Sequence, residues 1–244
     1  MQRRQRKRCG KSLRHGRSCL GYNASVYVLA IESSGPVGGV GLLGPEESFE
    51  ISVPLGSGRG EVLPELLRDL LSRAKIGWEK VSLIAVDIGP GSFTGLRIGL
   101  SLAKALAHVH GISLVAVRQT EAVGFPLAEI WPGRVCVWIH DRREFLYMAW
   151  VDRERAGAES VYSFSEALAK VRERSGVLLA GTGALRFASE LQAEASEVIL
   201  APSAFSYPRP SVVAEIGRAR YTREGPADLF SLEPHYVHKE GEHG

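Results

Sequence analysis

The chain has 244 residues, of which 45% are hydrophobic and 23% are charged. This composition can bury a core in one large domain or two small ones, and it excludes a disordered or collagen-like chain. Its three cysteines form no C-x-x-C pair, which excludes a disulfide scaffold and a zinc ribbon. No stretch approaches the roughly 18 apolar residues of a membrane span, so we expect no contact with a membrane.

The formal net charge of +3 comes from the first 25 residues. They carry eight arginine and lysine side chains and no acid, which leaves 22 basic and 27 acidic side chains, a net −5, on residues 26–244. On charge, we do not expect this body to bind nucleic acid in general. Residues 1–25 have three interpretations: a solvated arm that contacts a polyanion, an organellar transit peptide, or a dispensable extension. We expect a disordered, dispensable extension.

The first half of the body predicts three short strands followed by alternating helices and strands. The strands are predicted at 26–31, 37–43, 49–53, 81–88 and 112–117, and the helices at 61–75 and 96–110. Strands joined by short turns pair antiparallel, whereas a strand–helix–strand unit needs a parallel crossover. The order βββαβαβ therefore predicts a mixed α/β sheet of the ribonuclease H-like type, which actin-like proteins carry twice.

The second half resembles a shortened repetition of the first. It predicts a hairpin of strands 134–140 and 145–151 around the turn 141–144, then helix 166–174, strand 177–180, helix 184–194, strand 198–200 and helix 212–221. Glycines and prolines cluster at 121–132 and predict the boundary between two lobes. We therefore expect an N-terminal lobe at 26–122 and a shortened C-terminal lobe at 123–244.

The strongest local signal is the loop GPGSFTG at 89–95, between a predicted strand and a predicted helix. Its glycines and the helix N-terminus favour an anion, but no Gly-Lys-Ser/Thr follows and the spacing is not G-x-G-x-x-G. Two interpretations stay open, an anion-binding loop and a tight packing turn. In the second, we expect Gly91 to have a backbone conformation that a β-branched residue cannot adopt. The candidate loop residues are Gly89, Gly91, Ser92, Thr94, Gly95 and Arg97.

Acidic residues at strand ends indicate a second candidate site. Glu32 ends the first strand and Asp87 lies near the end of the fourth, where a ribonuclease H-like nuclease holds two metal ions. The other interpretation is surface charge plus one acid at a strand end. An independent enzyme, either an actin-like kinase or a two-metal nuclease that uses Glu32 and Asp87, is therefore the alternative hypothesis.

The first two helices carry more apolar surface than one core needs. Apolar positions span roughly 180° of helix 61–75, against the ~100° of an ordinary core face, and helix 96–110 has only a narrow polar strip. Either a partner protein or the chain's own lobes must cover the excess. The candidate interface residues are Val62, Leu63, Leu66, Leu67, Leu70, Leu71, Leu96, Gly99, Leu100, Ala103, Leu106 and Ala107.

Residues 89–117, GPGSFTGLRIGLSLAKALAHVHGISLVAV, closely resemble the TsaB family, which is also called YeaZ. Further matches are LAIESSGPVGGVGLL at 29–43, HDRREFLYMAW at 140–150, GTGA at 181–184 and LEPHYV at 232–237. The resemblance covers about residues 26–238. It implies a two-lobed actin-like (ASKHA) fold with a shortened second lobe.

The resemblance also implies a function, that of a non-catalytic partner subunit in the cytoplasm. Such a subunit forms a heterodimer with TsaD, the catalytic subunit, through helices of the first lobe, and TsaE, an ATPase, joins the pair. The complex attaches the threonylcarbamoyl group to the adenosine next to the anticodon of tRNAs that read codons beginning with A. We then expect contact with tRNA to be indirect, and we expect no cofactor. Whether the same helices also form a homodimer stays an open question.

The sequence departs from TsaD-like proteins where those proteins bind metal. They have a histidine pair after the strand that follows the GPG loop, and this chain has Arg118, Gln119, Thr120 and Glu121 there. Without imidazole, iron or zinc would lack nitrogen ligands. We therefore expect no catalytic residue and no metal site. We expect vestigial phosphate turns at Glu32, Ser33, Ser34, Gly181, Thr182 and Gly183, although the family usually has Asp in the place of Glu32.

Overall fold

The computed structural model describes residues 27–56, 59–140 and 145–237. The basic extension 1–25, the hairpin turn 141–144 and the first part of the predicted loop 57–60 therefore lie outside the described residues. Within the described residues, no helix is long and apolar enough to cross a lipid bilayer.

The first sheet has the mixed arrangement that the strand order predicts. Its five strands are β1 (Tyr27–Glu32), β2 (Val37–Leu43), β3 (Ser48–Pro54), β4 (Val81–Asp87) and β5 (Ser113–Val117), in the spatial order β3-β2-β1-β4-β5. The pairs β1–β2 and β2–β3 are antiparallel, whereas β1–β4 and β4–β5 are parallel. The ribonuclease H-like prediction for this half is thus confirmed.

Helices cover both faces of the first sheet. On one face, β1 side chains Leu29 and Ile31 pack against α1 (Arg59–Ala74) and α2 (Phe93–His110). On the other face, Val28 and Ala30 pack against α7 (Pro210–Glu224), close to the end of the chain. Successive side chains of a strand point to opposite faces, so this central strand is apolar from Val28 to Ile31.

The second sheet is a smaller version of the first. Its strands are β6 (Arg134–His140), β7 (Leu146–Val151), β8 (Ser160–Tyr162), β9 (Val177–Ala180) and β10 (Ile199–Leu200), in the spatial order β10-β9-β6-β7-β8. The helices are α3 (Gln119–Ile130), α4 (Phe164–Arg172), α5 (Thr182–Arg186) and α6 (Ala188–Glu194). Its core surrounds the fully buried Trp138. The two sheets together confirm the two-lobed fold.

Three predicted elements differ from the structure. The glycine- and proline-rich stretch 121–132 belongs mostly to α3, because Gly124 lets this helix approach β7 closely: a Cβ on it would lie 2.6 Å from Val151 Cγ2. The predicted helix 184–194 is two helices, interrupted at Phe187. Finally, α7 packs on the first sheet, so the proposed boundary does not confine residues 210–224 to the second lobe.

Candidate functional site

The GPGSFTG loop packs α2 tightly onto the turn that follows β1. Ser92 caps α2 by accepting from the Gly95 N–H at 3.2 Å, and its own N–H donates to the Ser34 carbonyl at 2.7 Å. The Ser33 hydroxyl donates to the Gly95 carbonyl at 2.8 Å. A Cβ on Gly95 would lie 2.1 Å from the Ser33 carbonyl oxygen. Close packing therefore explains this glycine, and anion binding by the loop stays a prediction.

The expectation for Gly91 needs a correction. The residue of this loop with left-handed backbone is Gly89, with φ of 104°, and Gly91 is absent from the positive-φ residues of the described chain. A Cβ on Gly91 would instead lie 2.5 Å from the Ser34 carbonyl oxygen. Gly91 is thus constrained by lack of space rather than by its own backbone conformation.

The structure brings Glu32 and Asp87 together, and both are fully buried. The Ser34 hydroxyl lies between them, 2.5 Å from Glu32 Oε1 and 3.0 Å from Asp87 Oδ2, and the Gly89 N–H donates to Asp87 Oδ1 at 2.7 Å. Burial and the negative charge of Glu32 raise the pKa of Asp87 well above its ordinary value. A proton on Asp87 lets Asp87 donate to Ser34 while Ser34 donates to Glu32. The two carboxyl groups then carry one buried negative charge instead of two.

A cleft of about 660 Å³ separates the two lobes above this acid pair. One wall includes Ser34, the start of α2 and Gln119, and the other includes Thr182, whose hydroxyl accepts from the His140 N–H at 3.0 Å. Gln119 is fully buried, and neither polar atom of its amide has a hydrogen-bond partner among the described residues. The two predicted phosphate turns therefore lie at the same cleft. In the first turn, Glu32 and Ser33 are buried beneath the cleft. In the second turn, Gly181 and Gly183 pack tightly beside Trp138.

The segment that replaces the histidine pair holds the two lobes together. Arg118 Nη1 donates to Glu159 Oε2 at 2.9 Å, and Thr120 Oγ1 donates to Glu159 Oε1 at 2.5 Å. His235 Nε2, near the end of the chain, lies 3.0 Å from the same carboxylate. Burial alone would raise the pKa of Glu159, but these partners outweigh it and lower the pKa. Glu121 is buried too, and it pairs with Arg118 and Arg220. These residues serve structural contacts between the lobes.

The structure places most of the candidate interface residues inside the monomer. Ala103 is fully buried in the core of the first lobe, so it offers no surface to a partner. Three candidates keep a partly exposed side chain, namely Val62, Leu66 and Leu106. The remaining candidates are buried: Leu63, Leu67, Leu70, Leu71, Leu96, Gly99, Leu100, Ala103 and Ala107. The excess apolar width of the two helices is therefore largely used by the chain itself.

The chain's own C-terminal segment contacts the polar strip of α2. Arg97 Nε donates to the Tyr236 hydroxyl at 3.0 Å and stacks its guanidinium 4.0 Å from the centre of the Phe93 ring. Further along, Lys104 Nζ donates to the Phe230 carbonyl at 3.2 Å. The sequence indicated LEPHYV at 232–237 only as a family match and not its contact with α2, because a stretch without helical or strand periodicity gives no packing signal.

The opposite edge of α2 borders an apolar groove of about 620 Å³. Its lining includes Leu67 and Leu71 of α1, Leu102 and Leu106 of α2, and Trp78. The Trp78 ring stacks on the His110 ring with centres 4.2 Å apart. Leu102 was visible in the apolar pattern of the predicted helix 96–110, whereas Trp78 lies between a predicted helix and a predicted strand and gives no such signal. We refer to this feature as the α1/α2 groove.

Two mixed five-stranded sheets that face each other across a cleft define a two-lobed actin-like (ASKHA) protein. A family model described as TsaD, tRNA N6-adenosine threonylcarbamoyltransferase, matches residues 59–219. The chain belongs to this TsaD-type family, and it resembles the TsaB (YeaZ) group over most of its length.

Individual relatives agree with this assignment. A tRNA threonylcarbamoyladenosine biosynthesis protein TsaB from Haemophilus influenzae is 22% identical over 87% of this chain and 94% of its own length. A tRNA N6-adenosine threonylcarbamoyltransferase from Sulfurisphaera tokodaii is 33% identical over 38% of this chain, and the match spans only 32% of that enzyme.

Solved structures show the same fold. YeaZ from Pseudomonas aeruginosa aligns with a TM-score of 0.71 and 22% identity, over 87% of this chain and 100% of that one. A second solved protein, described as similar to the peptidase YeaZ from Pseudomonas aeruginosa, aligns with a TM-score of 0.74 at the same identity and coverage.

Proposed function

We propose that the chain is a non-catalytic subunit that binds a TsaD-type catalytic subunit and, through it, a TsaE-type ATPase in the cytoplasm. The complex would attach threonylcarbamoyl to N6 of the adenosine next to the anticodon in tRNAs that read codons beginning with A. The observation that carries the proposal is the α1/α2 groove, because the chain's C-terminal segment contacts the other edge of α2 and leaves this apolar edge open. An open apolar groove between two helices is a common docking site for a partner helix.

The state of the polar residues supports the non-catalytic part of the proposal. Glu32 and Asp87 are fully buried and hydrogen-bonded through Ser34, so a substrate cannot reach them in this conformation. Arg118 and Glu121 occupy the place of the metal-binding histidines of TsaD-like proteins, and both are engaged in ion pairs. Each of these groups therefore has a structural role, which leaves the chemistry to the partner.

A binding titration tests this proposal. Leu106→Arg should weaken binding of the TsaD-type subunit from the same genome by two decades or more. A charge buried without a partner in an interface costs several kcal/mol, and each ~1.4 kcal/mol is tenfold in affinity. Leu106 is only half-buried in the monomer, so the variant should keep its circular dichroism spectrum.

The matched control is Leu185→Arg, on α5 of the second lobe, where the leucine is 41% exposed. It should bind as the wild type does. Normal binding by a folded Leu106→Arg variant would contradict the proposal. Mg²⁺-dependent turnover of ATP or cleavage of nucleic acid by the isolated chain would instead support the alternative of an independent kinase or nuclease.

A further inference from the structure

Gln119 is a buried polar side chain of the cleft between the lobes that no contact within the chain explains. It begins α3, and its backbone N–H donates to the Gly89 carbonyl at 2.8 Å. Its amide lies between two glycines: a Cβ on Gly35 would lie 3.5 Å from Nε2, and a Cβ on Gly91 would lie 3.2 Å from Oε1. Among the described residues, neither amide atom has a hydrogen-bond partner. Burying an amide without hydrogen bonds is costly, so the cleft favours a ligand that offers both an acceptor and a donor.

The charges around the cleft are unfavourable for an anion. No arginine or lysine is among the described residues that line it. Arg97, one turn into α2, directs its guanidinium to the Phe93 ring and the Tyr236 hydroxyl. The buried pair of Glu32 and Asp87 beneath the cleft carries one negative charge, whereas the N-terminus of α2 supplies only about half a positive charge. The remaining negative charge disfavours a phosphate or a carboxylate, although both predicted phosphate turns lie at the cleft.

Aromatic side chains make part of the cleft lining flat and apolar. Phe93 of α2 and Tyr236 of the C-terminal segment line it, and their rings stack with centres 5.3 Å apart. His140 of β6 and Tyr147 of β7 line it from the second lobe. The cleft volume of about 660 Å³ is within the range of small-molecule sites. Rings of this kind favour a planar ligand, because flat faces bury apolar area against each other.

We infer that the cleft binds an uncharged planar heterocycle that carries a primary amide, or an equivalent neighbouring donor and acceptor, and that Gln119 pairs with this group. The ligand amide donates to Gln119 Oε1 and accepts from Gln119 Nε2, as two amides pair with each other. The site disfavours nucleotides, because their phosphates meet the negative charge beneath the cleft. The inference does not rest on the proposed function, and the α1/α2 groove takes no part in it.

The cleft must open slightly for this contact, because the Gln119 amide is fully covered in the present conformation. His235 and Tyr236 of the C-terminal segment line the cleft. Their side chains contact Glu159 and Arg97 respectively, and each is more than a third exposed. We therefore expect this segment, rather than either lobe, to move when the ligand enters.

NMR spectroscopy of the full chain at pH 8 tests the inference with three small probes. Nicotinamide should shift the side-chain amide resonance of Gln119 and bind with a dissociation constant of about 1 mM. Pyridine has the ring without the amide, so it should bind about tenfold more weakly. Nicotinate has a carboxylate in the place of the amide, so it should also bind at least about tenfold more weakly than nicotinamide.

Gln119→Leu removes the amide at nearly constant side-chain size. This variant should keep its circular dichroism spectrum, because leucine leaves no buried polar atom unpaired, and it should bind nicotinamide and pyridine alike. The matched control is Gln192→Leu, the same change on an exposed residue of α6, which does not line the cleft. The control should keep the preference for nicotinamide.

Three results would overturn the inference. One is a preference for nicotinamide that survives Gln119→Leu, and another is nicotinate that binds as tightly as nicotinamide. The third is a Gln119 resonance that no probe shifts at about 20 mM, well above the expected dissociation constant, which would make ordered water the partner of this amide. If Gln119→Leu does not fold, the Gln119 resonance and the order of the three affinities in the wild type decide.

Discussion

At the scale of single residues, the most unusual feature is the buried pair of Glu32 and Asp87. Their carboxyl groups meet through Ser34 in the first lobe's interior, where two negative charges would repel at low dielectric. The raised pKa of Asp87 follows from its burial first and from Glu32 second. The sequence placed both acids correctly at strand ends, but it could not show that Ser34 joins them or that neither reaches solvent.

This pair predicts a pH dependence of stability. Unfolded Asp titrates near pH 3.9, so above that pH the folded chain holds a proton that the unfolded chain has lost. The free energy of unfolding should therefore fall as pH rises toward the raised folded pKa of Asp87, by at most about 1.4 kcal/mol per pH unit. The Asp87→Asn variant lacks this titrating proton, so its free energy of unfolding should depend less on pH. Urea titrations from pH 5 to 8 measure the difference.

The control for that series is Asp152→Asn. Backbone N–H groups of Arg155 and Glu154 lower the pKa of this exposed Asp152, so it stays ionised throughout the range and the variant should follow the wild-type pH profile. Equal pH profiles for wild type and Asp87→Asn would show that Asp87 is ionised in the folded chain.

At the scale of elements, the contact between α2 and the β1 turn decides how the first lobe packs. Gly95 and Gly99 both face Ser33, and a Cβ on either would lie 2.1 Å from one of its oxygen atoms. The glycines that the sequence analysis linked to anion binding or partner approach are thus needed inside the lobe. Both glycines have ordinary helical backbone, and they are needed because a side chain would not fit between α2 and Ser33.

Gly95→Ala tests this explanation because two effects oppose each other. Helix propensity favours alanine by about 1 kcal/mol, whereas the clash with the Ser33 carbonyl should cost more than that, about 3 kcal/mol, at the upper end of the usual range for an overpacked site. A net loss of about 1–3 kcal/mol is expected in urea unfolding. Gly56→Ala is the control, since nothing lies within 4 Å of its added Cβ. Gly95→Ala at wild-type stability would refute the packing explanation.

The elements also show how far the sequence could predict this molecule. The first five strands and two helices followed from apolar periodicity, because each buries a regular face. Helix α3 was missed because Gly124 and Pro126 are typical of loops, and only the neighbouring Val151 shows why a glycine is needed inside a helix. The α1/α2 groove depends on which side of α2 the C-terminal segment covers, and this tertiary contact leaves no local pattern.

At the scale of the whole molecule, the two edges of α2 have different surroundings. The C-terminal segment around Tyr236 contacts one edge, and the α1/α2 groove leaves the other open. Glu159, Arg118 and His235 connect the second lobe, the junction after β5 and that same segment. The two lobes and the C-terminal segment thus form one unit, whose open surface is the groove that we assign to the partner.

Reconstitution of the modification tests this account most directly. The TsaD-type and TsaE-type subunits, the enzyme that supplies the threonylcarbamoyl adenylate and an unmodified tRNA are combined, and threonylcarbamoyladenosine is measured by nucleoside mass spectrometry. The account predicts product with this chain or Leu185→Arg, a loss of at least tenfold when the chain is omitted or replaced by Leu106→Arg, and no product from this chain without the TsaD-type subunit. Equal product without this chain, or with Leu106→Arg at the lowest concentration that saturates the wild-type reaction, would contradict it.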